Sequence, residues 1–341
     1  MRNILLSSLL VLAACGAFVQ FSGNQEPTLQ DQAVYEVIRT LGGEKVAHEI
    51  EGTDSLLIAQ GRSIVNIGEW LSDTGSTGVV SPYFTCVSCH NTVREDPDLR
   101  NPTPEKRLAY VSENRQGFFQ ASTFWGIVNR ESWFNDDYVK KYGEDAKKAQ
   151  NSLREAIQLC SRECSQGREL TDWEMKAVLA YFWSIQLKVE DLNLTEDQLA
   201  DLQTKPKGKK GRAERIEWLK EQYMLASHAH VGQVPADKVA GYGLEGDKDN
   251  GKRIYQSSCR LCHYYNVAEV TQIYEGGPII EMMVDSIAAN SPHSLYEIIR
   301  KGTHPVKSQR QYMPYYPVER MSDQQIEDLR AYFDYVIEMD E

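Results

Sequence analysis

Two stretches carry the residue types and spacing for covalent cofactor chemistry: Cys86-Val87-Ser88-Cys89-His90 and Cys259-Arg260-Leu261-Cys262-His263. In each, two thiols stand one helical turn apart, so that each can add to a vinyl group along one edge of haem. The histidine beside the second thiol then lies under the iron. The pattern implies two covalently bound c-type haems, with Cys86, Cys89, Cys259 and Cys262 as attachment points and His90 and His263 as iron ligands. Zinc is a poorer fit. It wants four N/S ligands at one place, whereas these pairs are far apart, each beside a histidine that zinc does not require. A thioredoxin-like pair should follow a strand in a βαβ unit, and neither copy does.

The flanking elements must fold around those motifs. Leu56, Leu57, Ile58, Ile64, Val65, Ile67 and Trp70 recur at helical spacing around Gly61, which predicts a helix before the first motif. The Gly/Ser/Thr-rich stretch 72–81 reads as the loop between them. After His90, residues 94–104 are charged and proline-broken. Tyr110, Phe118, Phe119, Phe124, Trp125, Trp133 and Phe134 follow, side chains suited to enclosing a porphyrin or to ordinary core packing. A helix over 151–159 delivers Cys160. Another starts at Thr171, with Glu174 as its capping-box partner, and runs through Met175, Val178, Leu179, Tyr181, Phe182 and Ile185. In the second half a short helix with Gly251, Ile254 and Tyr255 enters Cys259, and a final helix starts at Ser322. No long alternating strand pattern occurs, so the fold class is mainly α.

From about residue 241 the chain resembles class I cytochrome c, in which a Met-Pro before the last helix supplies the distal sulfur. That resemblance makes Met313, in Tyr312-Met313-Pro314, the sixth ligand of the second haem, where His/Met ligation raises the reduction potential. Over 61–187 the chain resembles the thiosulfate dehydrogenase-like family of dihaem cytochromes c. The matching pieces are Gly61-Arg62, Cys86 to His90, Cys160, Gly167 and Glu174-Met175-Lys176-Ala177 leading into Tyr181. The resemblance implies that Cys160 is the distal ligand of the first haem and that sulfur chemistry occurs at that iron. The chain departs from the family at Cys164, usually serine, and at Gln166, usually asparagine.

Cys160 retains two readings. As a thiolate ligand it lowers the potential of its haem; as half of a Cys160–Cys164 disulfide it staples a loop, with Met175 or His48 left as the sixth ligand. Residues four apart on a regular helix hold their Cβ atoms about 5–6 Å apart, beyond the about 3.5–4.5 Å of a disulfide. The bridge therefore needs an irregular backbone.

The chain has 341 residues, a formal net charge of -12 and a sequence pI near 5.2. Nucleic acid is excluded as a partner, since phosphate binding needs clustered Lys and Arg. Arg2 and the apolar run 4–12 read as an export signal, and Leu12-Ala13-Ala14-Cys15 resembles a bacterial lipobox that makes Cys15 a lipid anchor. The expected organisation is a signal peptide over 1–14, a tether over 15–32, a first cytochrome c-type domain over 33–188 and a second over 241–341. Between the domains, 189–240 reads as a charged linker with a helix over 213–225 and a basic loop, Lys205 to Arg212; His228 and His230 there read as surface histidines. The architecture expected is two cytochrome c-type domains in tandem, each enclosing one covalent haem. The expected function is electron transfer with redox partner proteins in the periplasm or at a bacterial membrane surface. The alternatives are a thiosulfate dehydrogenase-like oxidoreductase forming tetrathionate, with Cys160 catalytic, and a haem subunit of a respiratory complex.

Overall fold

The computed structural model describes residues 28–72, 75–226, 229–261, 263, 294–303 and 313–340. The expected signal peptide, most of the tether, Cys15, His228 and Cys262 lie outside them. The fold is mainly helical, with two-residue strands β1 (Leu71–Ser72) and β2 (Gly75–Ser76) paired antiparallel in the loop before the first motif. The helices are α1 (Val34–Thr40), α2 (Ser55–Ile67), α3 (Pro104–Glu113), α4 (Asp136–Tyr142), α5 (Glu144–Ala149), α6 (Leu153–Leu159), α7 (Asp172–Ser184), α8 (Glu196–Gln203), α9 (Gly208–Lys220), α10 (Lys248–Ser257), α11 (Leu295–Lys301) and α12 (Asp323–Asp340).

One construction is used twice. α2 starts where the Asp54 carboxylate accepts the Leu57 N–H at 2.7 Å and stops at Gly68, whose φ of 84° closes the last turn on the Ile64 carbonyl. α7 starts on the expected capping box, in which Thr171 Oγ1 accepts the Glu174 N–H and the Glu174 carboxylate accepts the Thr171 N–H. The two helices cross at Gly61: a Cβ there would lie 1.9 Å from the Ala177 carbonyl oxygen and 3.0 Å from Tyr181 Cβ. α10 crosses α12 in the same way, since a Cβ on Gly251 would lie 1.9 Å from the Asp328 oxygen and 2.9 Å from Tyr332 Cβ. Only glycine admits backbone so close. Each crossing heads its own core: Ile64, Val65, Val178 and Phe182 in one, Ile254, Tyr255, Leu329 and Phe333 in the other. Burying each such side chain contributes about 1.5–3 kcal/mol.

Two segments sit elsewhere than their sequence suggests. α3 falls within 33–188, yet its Leu108 and Val111, with Phe118, are buried in the second core beside Ile254 and Leu295. The stretch 189–240, expected as a charged linker with a helix, carries apolar side chains that are buried. Its Leu192, Leu202, Leu219 and Tyr223 pack on Val34, Val37 and Ile38 of α1 in a third cluster, because Ile216 and Leu219 fall three apart on a single helical face beneath the charges. The helix expected at 213–225 is α9, which takes in most of the basic loop.

Candidate haem sites

A cavity of about 470 Å³ opens in the first unit, within the roughly 300–1,000 Å³ usual for cofactor sites. Cys86, Cys89 and His90 line it, with Ile64 of α2, Ile157 of α6 and Val178 and Phe182 of α7. The first motif folds as a 3-10 turn over Cys86–Ser88, capped by Thr85 and closed by the Cys89 and His90 N–H groups on the Cys86 carbonyl at 3.3 and 3.2 Å. His90 Nδ1 meets the Ser122 carbonyl oxygen at 2.6 Å. That oxygen can only accept, so the proton sits on Nδ1 and Nε2 keeps its lone pair for a metal. The ring stacks on Phe124 with centroids 4.0 Å apart. Burial pushes its pKa down to about 4, so the imidazole is neutral at ordinary pH, and burial pushes the Cys86 thiol up to about 11.

Cys160 reaches the same cavity. α6 runs on into one turn of π-helix over Cys160–Cys164, closed by the Ser165 N–H on the Cys160 carbonyl at 2.9 Å. Such widened turns concentrate at functional sites. The irregular backbone that a disulfide would need is thus present, and the Cys160 thiol is unbridged. Main-chain bonds hold the loop instead: the Gly167 N–H reaches the Ser161 carbonyl at 2.8 Å, and a Cβ on Gly167 would lie 2.2 Å from the Val80 oxygen. A hydrogen bond with Cys164, and burial, hold the Cys160 thiol well above its ordinary pKa. The other two ligand candidates are placed elsewhere. Met175 is 4% exposed in the apolar core. His48 Nε2 meets the Val128 carbonyl at 2.9 Å, with the Trp133 and Trp183 rings around it. Neither lines the cavity, whereas Cys160 and Cys164 both do.

Of the aromatic stretch, Phe124, Trp133 and Phe134 line the cavity, while Phe118 serves the second core and Trp125 receives the Arg94 guanidinium on its face. Three lining tyrosines, Tyr138, Tyr142 and Tyr315, were not singled out by spacing. The Tyr138 and Tyr315 rings lie 5.6 Å apart, and the Lys141 ammonium sits 4.9 Å above Tyr315. The i, i+4 pair Tyr138 and Tyr142 on α4 was the available signal; Tyr315 had none.

The second unit closes part of this cavity with Pro314, Tyr315, Glu319 and Arg320. Arg320 holds Glu95 bidentately at 2.6 and 3.1 Å, both side chains buried. Glu95 also accepts from Asn91 Nδ2 at 3.0 Å and the Thr123 N–H at 2.8 Å, neighbours of His90 and of Ser122. Burial alone would raise the Glu95 carboxyl, but the Arg320 guanidinium pulls it down to about 2. Beside it Arg107 pairs with Asp96 at 3.0 Å and donates to the Glu319 carbonyl at 2.7 Å.

In the second unit the described part of the site is Cys259, His263 and Met313. The His263 N–H meets the Cys259 carbonyl at 2.8 Å, as that of His90 meets Cys86, and burial lowers the His263 pKa. Met313 packs against the second core. Its main chain is pinned by Thr303, whose Oγ1 accepts the Met313 N–H at 2.7 Å and whose N–H reaches the Met313 carbonyl at 2.9 Å. His230 is a surface side chain paired with Glu319. Among the described residues no group of three His, Cys, Asp or Glu side chains could hold a metal ion. No helix among them is long and apolar enough to cross a membrane.

Residues 246–333 match the sequence model of the family described as cytochrome C oxidase, cbb3-type, subunit III. No curated protein and no solved structure matches the chain. The family match makes the second unit a c-type cytochrome domain, and with it come covalently bound haem and haem-based electron exchange with redox partner proteins.

Proposed function

We propose that the chain is a dihaem c-type cytochrome, with one haem in the second unit and another in the cavity of the first, relaying electrons from a donor to a respiratory acceptor. The observation that carries this reading is the convergence of Cys86, Cys89, His90 and Cys160 on one cavity of about 470 Å³. The donor set suits the group. Two neighbouring thiols offer the thioether links, a neutral imidazole offers Nε2, and a thiol from a separate turn offers the sixth ligand. In the second unit Cys259 and Cys262 would take the links, and His263 and Met313 would bind the iron. Haem supplies the one-electron couple.

The chain's own residues set the direction of flow. Thiolate ligation at Cys160 lowers the potential of the first site and Met313 raises that of the second, so electrons run from first to second. The sequence Leu12-Ala13-Ala14-Cys15 supports export and a lipid anchor on the periplasmic side of a bacterial membrane. Protein matured with its full export and haem-attachment apparatus is expected to carry two covalent haems per denatured chain by pyridine haemochrome assay and mass spectrometry, and Cys86→Ser/Cys89→Ser one. A single equivalent in the unmutated protein would sink the reading.

The free, cavity-lining Cys160 also favours an enzyme reading, in which two thiosulfates join through a new S–S bond to give tetrathionate and two electrons. Haem reduction on adding thiosulfate to micromolar oxidised protein decides it; no reduction removes it. The name of the matching family raises a third role, as a haem subunit of a respiratory complex. Co-purification from detergent-solubilised membranes tests that role.

A further inference from the structure

Arg130 is 8% exposed and lines the first-unit cavity. Its Nη1 donates to Ser122 Oγ at 2.7 Å. Among the described residues no carboxylate lies within ion-pair distance of this guanidinium: the carboxylates that bear on it electrostatically, Glu95 and Asp96, are held by Arg320 and Arg107. Burial pulls its pKa down to about 10, as happens when a cation leaves water without a counter-ion beside it. Asn101, Thr103, Gln120 and Ser122 are among the polar residues lining the same cavity. A buried cation of this kind calls for an anion that the cavity's ligand brings with it.

We propose that Arg130 is the carboxylate anchor of the first haem, its guanidinium and the Ser122 hydroxyl together holding one propionate. This rests on the haem reading above. Haem carries its two carboxylates on the edge away from its vinyl groups, so thioether links at Cys86 and Cys89 direct the propionates away from those thiols. Ser122 then serves two parts of the site. Its carbonyl fixes the His90 ring and its hydroxyl accepts from Arg130, so one residue would position both the iron-binding side chain and the carboxylate anchor. A positive charge beside the porphyrin edge favours the added electron, which makes Arg130 a positioning residue that also tunes the potential.

The test is a spectrally resolved redox titration of holoprotein verified by mass to carry both haems. Arg130→Leu is expected to make the first haem about tenfold harder to reduce, a fall of about 59 mV for a one-electron couple, and to leave the second haem unchanged; Arg130→Lys recovers most of the shift. A first-haem potential in Arg130→Leu equal to that of the unmutated protein overturns the proposal. Should Arg130→Leu lose the first haem, the redox-difference infrared spectrum of Arg130→Lys carrying carboxyl-labelled haem decides. A displaced propionate band supports the anchor and an unmoved band overturns it. Unmutated protein with no haem on Cys86 and Cys89 would instead defeat the haem reading itself.

Discussion

At Cys160 a single side chain would decide the character of the proposed first haem site. The π-turn brings it to the cavity as a free thiol, and neither Met175 nor His48 lines that space. Cys160→Ala is therefore expected to abolish the thiolate signature in the EPR and optical spectra of the first haem and to raise its potential by more than about 59 mV, a tenfold change in the reduction equilibrium. Spectra identical to those of the unmutated protein would exclude the ligation. At this scale the sequence was legible wherever chemistry fixes spacing. On the proposed dihaem reading, Cys86, Cys89 and His90 stand close in sequence because two thioether links and one iron ligand must reach a single haem. Arg130, Ser122 and Tyr315 were not legible, because they arrive from separate loops and no rule of spacing ties a loop residue to a cavity formed elsewhere in the chain.

Among the helices, the two glycine crossings set where each cavity or core lies. Gly61→Ala would drive a methyl group into the Ala177 carbonyl, and Gly251→Ala one into that of Asp328; each is expected to cost about 3 kcal/mol, at the upper end for overpacking. Gly211 on α9 is the contrast. A Cβ there meets Pro206 at an ordinary 3.6 Å, so Gly211→Ala should gain about 0.5–1 kcal/mol from helix propensity. Urea denaturation of the three holoproteins checks all of this, and a Gly61→Ala midpoint equal to the unmutated one would refute the crossing. Periodicity and caps located the helices, Thr171 with Glu174 and the Ser322 start among them. Which backbones touch was written more faintly, in Gly61 and Ile64 against Gly251 and Ile254, and in Ala180-Tyr181-Phe182 against Ala331-Tyr332-Phe333. The 189–240 stretch misled because its charges outnumber the few apolar residues that pack it on α1.

Across the whole molecule, the Arg320–Glu95 pair ties the second unit to the loops that hold His90. A carboxyl held at about 2 in the fold against an ordinary 4.5 contributes stability that is complete above about pH 4.5 and is lost as pH falls toward 2, about 3 kcal/mol in all. Asp96 works the other way, since burial raises its carboxyl, so the acid-labile part belongs to Glu95. Glu95→Gln leaves Arg320 buried without its counter-charge and should lose about 3–5 kcal/mol at pH 7, with a shallower decline on acidification. Denaturation midpoints at pH 7 and at pH 3.5 test it, and an undiminished acid slope in the variant would assign the effect elsewhere. The short run from Met313 to Tyr315 belongs to both units at once, its methionine packed on one core and its tyrosine set into the wall of the other's cavity. Thermal opening of the first cavity would pull through this run on the packing of the second core, so the two halves are expected to melt in one event and to yield to a protease together.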